Sequence, residues 1–210
     1  MLTSHRQALL EAAEIALALA GSDEVRAAWE AESSCAGMTV GGLTQHLVAQ
    51  PVNTVRALGS GPGAGPIPLL DHYARAEWVG ADLEAEANVD IASHSNEAAA
   101  VGPDAVLEGG REALTRLPDL LADAPEAVDI PWQSWSLRTD DFVTTRLMEI
   151  VVHSDDLAAS VGLPTPEFPE PALTPVLGLL SGVAVRRHGQ AAVVRALSRP
   201  QRAPGHVSAF

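Results

Sequence analysis

The sequence predicts an all-α protein, and three observations support that class. No segment alternates apolar and polar residues for more than a few positions, so the pattern of a β-strand is nearly absent. Alanine is abundant and aromatic residues make up only 4% of the chain, which favours helix. With 210 residues, 47% of them apolar, the chain can bury a substantial core.

Helical periodicity predicts three segments in the N-terminal part. A first helix runs from about Ser4 to Ala20, and a short helical piece covers Glu24 to Glu32. Thr39 is a suitable N-cap for the next helix. Pro51 is expected to kink that helix or to end it near the preceding residue, with a continuation through Leu58.

Glycine and proline mark the boundaries in the middle of the chain. Residues 59–68 contain four glycines and three prolines and are expected to form a flexible surface loop. No lysine follows them, so a phosphate-binding loop is rejected. A helix is expected over residues 69–86, with a break and a continuation to Ala100, and another over 103–121.

The C-terminal half combines a loop, a long helix and a proline-rich connector. Residues 125–137 are expected to form an ordered loop that leads into a helix over 139–161. Four prolines between residues 164 and 171 indicate a stiff, extended connector. A last helical region, 173–197, ends in a tail of arginine and proline.

The chain is strongly acidic, with 27 acidic against 13 basic residues and a formal charge of −14. Such a charge repels phosphate backbones and anionic lipid, so partners of those classes are not expected. Glu11 and Glu14 interrupt the only stretch that could form a signal peptide, and residues 173–185 are too short to span a bilayer. The single cysteine, Cys35, excludes an internal disulfide and fits a reducing cytoplasm. Its surroundings are typical of an ordinary interhelix loop.

A polar stripe crosses the otherwise apolar helix 139–161. Its residues, Arg146, Glu149, His153 and Asp156, follow spacings of three, four and three. Glu149 and His153 are about one turn apart on one face, so a single metal ion can bind both. A buried carboxylate is costly unless it is paired or coordinated. Two interpretations stay open at this point, a metal site and an Arg146–Glu149 ion pair beside a hydrogen-bonded histidine.

His46 is the candidate for a third ligand. It lies on an apolar helical face, whereas the other histidines outside the stripe have polar or terminal contexts: His5, His72, His94, His188 and His206. A lone histidine on such a face is more often a hydrogen-bonded core residue. Combined with Glu149 and His153, however, it completes a set of two imidazoles and one carboxylate. This set is the usual open site for a catalytic divalent ion.

Two motifs in the chain resemble a known family. Residues 38–47 place His46 about a turn and a half into a helix, and residues 146–158 carry the pattern Arg-x-x-Glu-x-x-x-His-x-x-Asp-Leu. Both resemble the DinB-like proteins and, within them, the N-terminal domain of mycothiol-dependent maleylpyruvate isomerases. The resemblance covers about residues 4–163. It implies a four-helix bundle that holds a zinc-like ion through three ligands, His46, Glu149 and His153.

The chain departs from this family at two points. A tryptophan often precedes the first motif, and Met38 takes that place here. The isomerases carry a mixed α/β domain after the bundle, whereas about 47 helical residues follow Leu163 here. We therefore expect a DinB-like metal-binding bundle over residues 1–163, followed over 164–210 by a Pro-rich connector and a short helical C-terminal extension.

The resemblance implies an enzyme that uses mycothiol, a low-molecular-weight thiol, as cofactor or co-substrate. Zinc lowers the pKa of a bound thiol, so the thiolate can add to a small electrophile. Later departure of the thiol would give an isomerase, and retention would give an S-transferase. Three alternatives are a metal-dependent hydrolase, a non-haem iron protein and a non-catalytic bundle that binds a small molecule. A monomer and a homodimer are both compatible with the sequence.

Two residues of the stripe are candidates for roles beside the metal. Asp156, one turn past His153, is expected to orient that ligand, although a surface charge is an equally good interpretation. Arg146 is expected to pair with Glu149, or else with a substrate carboxylate.

Four further residues are candidates for binding the cofactor. Trp132 and Trp135 precede the metal helix and are expected to line the pocket, or to pack against the end of the bundle. Arg187 and His188 belong to the only compact basic group of the chain. They are expected to bind an anionic end of a ligand, or to complement the charge of a helix C-terminus.

Overall fold

The computed structural model describes residues 2–82 and 85–210 and confirms the all-α class. The helices of the described residues are α1 (Ser4–Ala20), α2 (Asp23–Ala27), α3 (Val40–Gly59), α4 (Leu69–Arg75), α5 (Glu86–Ala99), α6 (Pro103–Ala122), α7 (Thr139–Val161), α8 (Glu170–His188) and α9 (Gln190–Ser198). A single 3₁₀ turn, Pro200–Arg202, follows α9. Helices α1, α6 and α7 begin and end within one residue or so of the limits expected from the sequence.

Four long helices form a bundle around one core. Helix α3 packs against α6 and α7, and α1 packs against the same two helices. The largest side chains buried between them are Leu9, Leu43, Leu47, Leu117, Leu121, Phe142, Leu147, Ile150 and Leu157. Each such side chain contributes roughly 1.5–3 kcal/mol when it leaves water, so this core dominates the stability of the fold.

Helix α3 continues through Pro51 without interruption. Thr39 caps it as expected, because its hydroxyl accepts a hydrogen bond from the Gly42 amide at 2.9 Å. The Gln50 side-chain amide donates to the His46 carbonyl at 2.8 Å and so provides a hydrogen bond in the turn that precedes the proline. The helix therefore does not end at Pro51, and the kink expected there stays a prediction.

The short helical piece expected over Glu24–Glu32 is only partly helical. Helix α2 ends at Ala27, and the chain then folds back so that the Val40 amide donates to the Ala31 carbonyl at 2.8 Å. The Ser34 hydroxyl donates to the Asp156 carbonyl at 2.8 Å, which holds this loop against α7.

The helix expected over residues 69–86 is shorter than the sequence suggests. Helix α4 ends at Arg75, and turns follow, including Gly80 with φ of 76°. Only glycine adopts that backbone conformation readily. The last residues of the expected helix include Leu83 and Glu84, which lie outside the described residues.

A small hairpin replaces the loop expected over residues 125–137. Strands β1 (Ala127–Asp129) and β2 (Ser136–Arg138) pair in antiparallel fashion. Three-residue strands are too short to show an alternating pattern, so no pattern in the sequence indicated them. The Gly63 amide donates to the Ala127 carbonyl at 2.9 Å, so the preceding glycine-rich segment is anchored to the hairpin. The segment lies on the surface, as expected, and a second bond, from the Ile67 amide to the Ser136 carbonyl, also ties it to the hairpin.

The C-terminal helices pack onto the bundle. Helix α8 contacts α1, α4 and α7 and buries Val176, Leu179 and Val183. Gly189, with φ of 80°, separates α8 from α9 where the sequence predicted one helical region. The division of the chain at Leu163 stays a prediction. None of the described helices is long and apolar enough to cross a membrane.

Candidate metal centre

Three side chains from α3 and α7 meet inside the bundle. His46 Nε2 lies 3.4 Å from Glu149 Oε2, and His153 Nε2 lies 3.2 Å from the same oxygen. The two imidazole rings are nearly perpendicular, with centroids 4.8 Å apart. The candidate ligands that are 103 residues apart in sequence, His46 and Glu149, are therefore neighbours in space.

The spacing of these atoms fits a tetrahedral metal ion. Bonds of about 2.0–2.1 Å place the ligand atoms of a tetrahedral zinc about 3.3 Å from one another. The separations of 3.2 and 3.4 Å match that value, and 3.4 Å is long for a hydrogen bond between nitrogen and oxygen. Two imidazoles and one carboxylate leave a fourth position open.

Neighbouring groups set the orientation of both imidazoles. The Ser95 hydroxyl donates to the Ile91 carbonyl at 2.8 Å, and its oxygen lies 3.5 Å from His46 Nδ1. The Asp156 carboxylate likewise accepts from His153 Nδ1 at 3.0 Å. With a metal ion bound through Nε2, each ring would carry its remaining proton on Nδ1, beside these oxygen atoms.

Hydrogen bonds within the cluster stabilise the charged forms of Glu149 and His153. Burial acts to raise the pKa of Glu149, but the hydrogen bonds of His153 and His46 outweigh it and hold that pKa well below its ordinary value. Burial also acts to lower the pKa of His153. Its hydrogen bonds with Asp156, Cys35 and Glu149 outweigh burial and raise the pKa well above the ordinary value. A cation at this site would therefore compete with a proton for His153.

Arg146 is buried beside the cluster but does not pair with Glu149. Its guanidinium donates to Gln50 Oε1 at 2.6 Å and to Thr145 Oγ1 at 3.0 Å. Among the described side chains no salt bridge joins it to Glu149, so the ion pair that the sequence left open is not formed. Its charge still helps to lower the pKa of Glu149.

The two tryptophans lie on the hairpin side of the bundle. Trp132 is 38% exposed, and the guanidinium of Arg146 lies 5.8 Å from its ring. Trp135 is half-buried, and its indole N–H donates to His72 Nδ1 at 3.0 Å. The structure thus pairs Trp132 with Arg146 and Trp135 with His72, and their role as pocket residues stays a prediction.

Arg187 and His188 have other contacts. Arg187 Nη1 donates to the Ala209 carbonyl, and His188 Nε2 lies at hydrogen-bond distance from the Ser208 carbonyl, both at 2.9 Å. They hold the C-terminal segment against α8. In the described structure no contact joins them to His46, Glu149 or His153.

Two groups near the cluster were not found from the sequence. The Sγ atom of Cys35 lies within 4.8 Å of the ligand atoms of His153 and Asp156. The Ser95 hydroxyl lies beside His46, as described above. Cys35 reaches the site only because its loop folds back onto α7, and Ser95 only because α5 packs on α3, and neither event has a local sequence signal.

The fold and the ligand set define a helical-bundle protein with a candidate centre of two histidines and one carboxylate. The family model of the mycothiol maleylpyruvate isomerase N-terminal domain matches residues 9–158, and the chain belongs to this family. The family expected from the two motifs is thereby confirmed.

The chain is also similar to a solved structure. The crystal structure of a mutant of the mycothiol-dependent maleylpyruvate isomerase is similar over 89% of this chain and 72% of that chain, with 17% identity and a TM-score of 0.47. No curated protein matches the chain.

Proposed function

We propose that this protein is a metal-dependent enzyme that uses a low-molecular-weight thiol, mycothiol, as cofactor or co-substrate. It acts on a small electrophile as an isomerase or an S-transferase. The observation that carries the proposal is the convergence of His46, Glu149 and His153, whose Nε2 atoms lie 3.4 and 3.2 Å from Glu149 Oε2. Membership of the family supports the thiol.

The residues of the chain have distinct tasks in this proposal. His46, Glu149 and His153 would hold a divalent cation, most simply zinc, which supplies a positive charge that lowers the pKa of a thiol. Asp156 keeps the ring of His153 in position through Nδ1. The apolar core around the cluster limits access of water, which strengthens every charge interaction inside it.

The structure favours thiol chemistry over hydrolysis by metal-bound water. A hydrolase needs a free general base within reach of the attacking water. Asp156 is engaged by His153, and the exposed Asp155 accepts a hydrogen bond from the Thr165 hydroxyl. Both carboxylates that the sequence offered for that task therefore have other partners.

The remaining assignments belong to the same proposal. The bundle, residues 1–163, carries the site, and residues 164–210 support it by packing of α8 on α1 and α7. We place the protein in the cytoplasm, where Cys35 and a thiol cofactor stay reduced.

Elemental analysis of three purified variants tests the metal site. We expect the native protein to bind about one divalent ion, and His46→Ala and His153→Ala to lose it, because two ligands hold a catalytic ion weakly. His94→Ala is the matched control, since this histidine is exposed on α5 and next to Ser95. Equal metal content in all four proteins would contradict the proposed site.

Turnover then tests the thiol. We expect conversion of maleylpyruvate to require both the metal and added mycothiol. A rate that does not depend on the thiol would contradict thiol chemistry and favour the hydrolase or iron alternative. Absence of metal and of turnover in the native protein would favour a non-catalytic bundle.

A further inference from the structure

Cys35, His153 and Asp156 form a second group of possible metal ligands, where the loop before α3 meets α7. One ligand atom of each residue, a sulfur, a ring nitrogen and a carboxylate oxygen, lies within 4.8 Å of the other two. His153 Nδ1 and Asp156 Oδ2 are 3.0 Å apart, close to the spacing of about 3.3 Å around a tetrahedral zinc. The candidate metal centre uses Nε2 of the same ring, which faces Glu149. Nδ1 therefore belongs to a separate set of ligands.

The loop that carries Cys35, residues 28–39, is fixed on α7. The Ser34 amide donates to the Ser160 hydroxyl at 2.9 Å, and the Ser34 hydroxyl donates to the Asp156 carbonyl at 2.8 Å. The residue next to Cys35 is thus held through both its backbone and its side chain. The thiol is therefore placed beside α7 before any ion binds, which lowers the cost of ordering the loop around a ligand.

The three groups suit a borderline divalent cation such as zinc. Thiolate, imidazole and carboxylate are the three ligand types that zinc takes in proteins. Cys35 is half-buried, and the side chain of Asp156 is 29% exposed. An ion can therefore enter from solvent, and its fourth position can be filled by water.

The charges of the two ligand sets balance two divalent ions. As bound ligands, Cys35, Asp156 and Glu149 bring one negative charge each, and a His153 ring that binds an ion through both nitrogens brings a fourth. The proton of the thiol and the proton on Nδ1 pass to solvent when the second ion binds. Neutrality favours the filled site, because uncompensated charge in a partly buried place is costly.

We propose that Cys35, His153 Nδ1 and Asp156 bind a second divalent cation, and that the ring of His153 is shared with the ion of the candidate metal centre. This inference goes beyond the proposed function, because it involves no step of the thiol reaction. The second ion is the more weakly bound, since the charge of the first acts on it across the shared ring. Dialysis that leaves the first ion in place should therefore remove the second.

Titration of the metal-free protein with cobalt(II) tests the second site. Cys35 is the only cysteine of the chain, so in anaerobic buffer without added thiol a thiolate-to-cobalt charge-transfer band can come from this residue alone. We expect the first equivalent of cobalt to give visible bands without a thiolate band, and the second equivalent to give the thiolate band. Cys35→Ser should lose the thiolate band and still bind the first equivalent.

Two neighbouring carboxylates give a matched pair of variants. Asp156→Asn should weaken binding of the second ion at least tenfold, because loss of even a group that only orients a ligand costs roughly 10–100-fold in metal affinity. Asp155→Asn is the control, since Asp155 is exposed on the same turn of α7 and accepts a hydrogen bond from Thr165. It should give the thiolate band at the native cobalt concentration.

Alkylation of Cys35 by iodoacetamide measures the same site with zinc. A thiol bound to zinc is withdrawn from the free pool, so the reaction should slow about tenfold at free zinc roughly ten times the dissociation constant of the second site. The same zinc concentration should protect Cys35 in Asp155→Asn and fail to protect it in Asp156→Asn.

His46→Ala separates this inference from the proposed function. The substitution removes a ligand of the candidate metal centre only, so the thiolate band should remain and should saturate with about one equivalent of cobalt. If His46→Ala binds as much metal as the native protein in every titration, the proposed function fails while the thiolate band still supports the second site. The inference is overturned if the native protein shows no thiolate band in excess cobalt, or if Asp156→Asn and Asp155→Asn give the band at the same cobalt concentration.

Discussion

At the scale of single residues, neighbours decide which proton each histidine keeps. Ser95 and Asp156 face Nδ1 of His46 and His153, so a metal ion can bind each ring through Nε2. Trp135 donates to Nδ1 of His72, so this ring offers a proton at Nε2. The same side chain is thus prepared as a metal ligand in two places and as a hydrogen-bond donor in the third.

The pH dependence of stability should reveal the state of His72. Its pKa is about 4 in the folded protein and near 6.5 in an unfolded chain, so the unfolded state binds the proton first as pH falls. The contribution of neutral His72 to stability is complete above pH 6.5 and is lost between pH 6.5 and 4, by up to about 3 kcal/mol.

Urea denaturation at several pH values measures this effect. Between pH 6.5 and 4, the free energy of unfolding should fall less for His72→Asn than for the native protein. This holds even if the variant is less stable at pH 7. Parallel curves for the two proteins would show that His72 does not titrate as described.

At the scale of elements, close packing of helices positions the ligands. An added Cβ at Gly110 on α6 would lie 2.6 Å from Val48 on α3 and 2.8 Å from Leu17 on α1. Helix α3 carries His46, so this contact helps to position the helix that supplies one of the candidate ligands. An added Cβ at the adjacent Gly109 would meet nothing within 4 Å.

These two glycines give a matched pair of variants. Gly110→Ala should destabilise the protein by about 1–2 kcal/mol, because overpacking exceeds the gain in helix propensity. Gly109→Ala should stabilise it by roughly 0.5–1 kcal/mol, since only the propensity changes. Urea denaturation at neutral pH measures both, and destabilisation of equal size in the two variants would contradict the packing described here.

The limits of the elements were predictable to different degrees. Helix α7 could be placed because 23 residues give several turns of periodic pattern and end at Gly162, whose φ of 71° suits glycine. The hairpin was missed because each of its strands has only three residues, too few to show an alternating pattern. At Pro51 the propensity of one residue was overridden by the packing of the whole of α3.

At the scale of the whole molecule, the candidate metal centre joins two helices that are distant in the chain. His46 lies on α3 and the other two ligands on α7. A metal ion bound by residues of both helices would link α3 to α7. This link would exist only in the folded state, so it would stabilise that state.

Zinc should therefore raise the melting temperature of the metal-free protein. At free zinc one hundred times the dissociation constant, binding adds about 2.7 kcal/mol, which corresponds to roughly 5–10 °C for a chain of this size. The shift should shrink as pH is lowered from 8 to 6, because protons compete for the imidazoles. Differential scanning calorimetry measures it, and a shift of the same size in His46→Ala would contradict a link through this residue.

The sequence by itself determined the helical class, the family and the polar stripe of α7, because helical periodicity and the spacing of Glu149 and His153 are local properties. It also singled out His46 by its apolar surroundings. Only the tertiary structure decided that His46 reaches Glu149, that Arg146 bonds Gln50 instead, and that the Tyr73 hydroxyl has no hydrogen-bond partner among the described residues. These contacts depend on how helices pack and loops close, which no short stretch of sequence encodes.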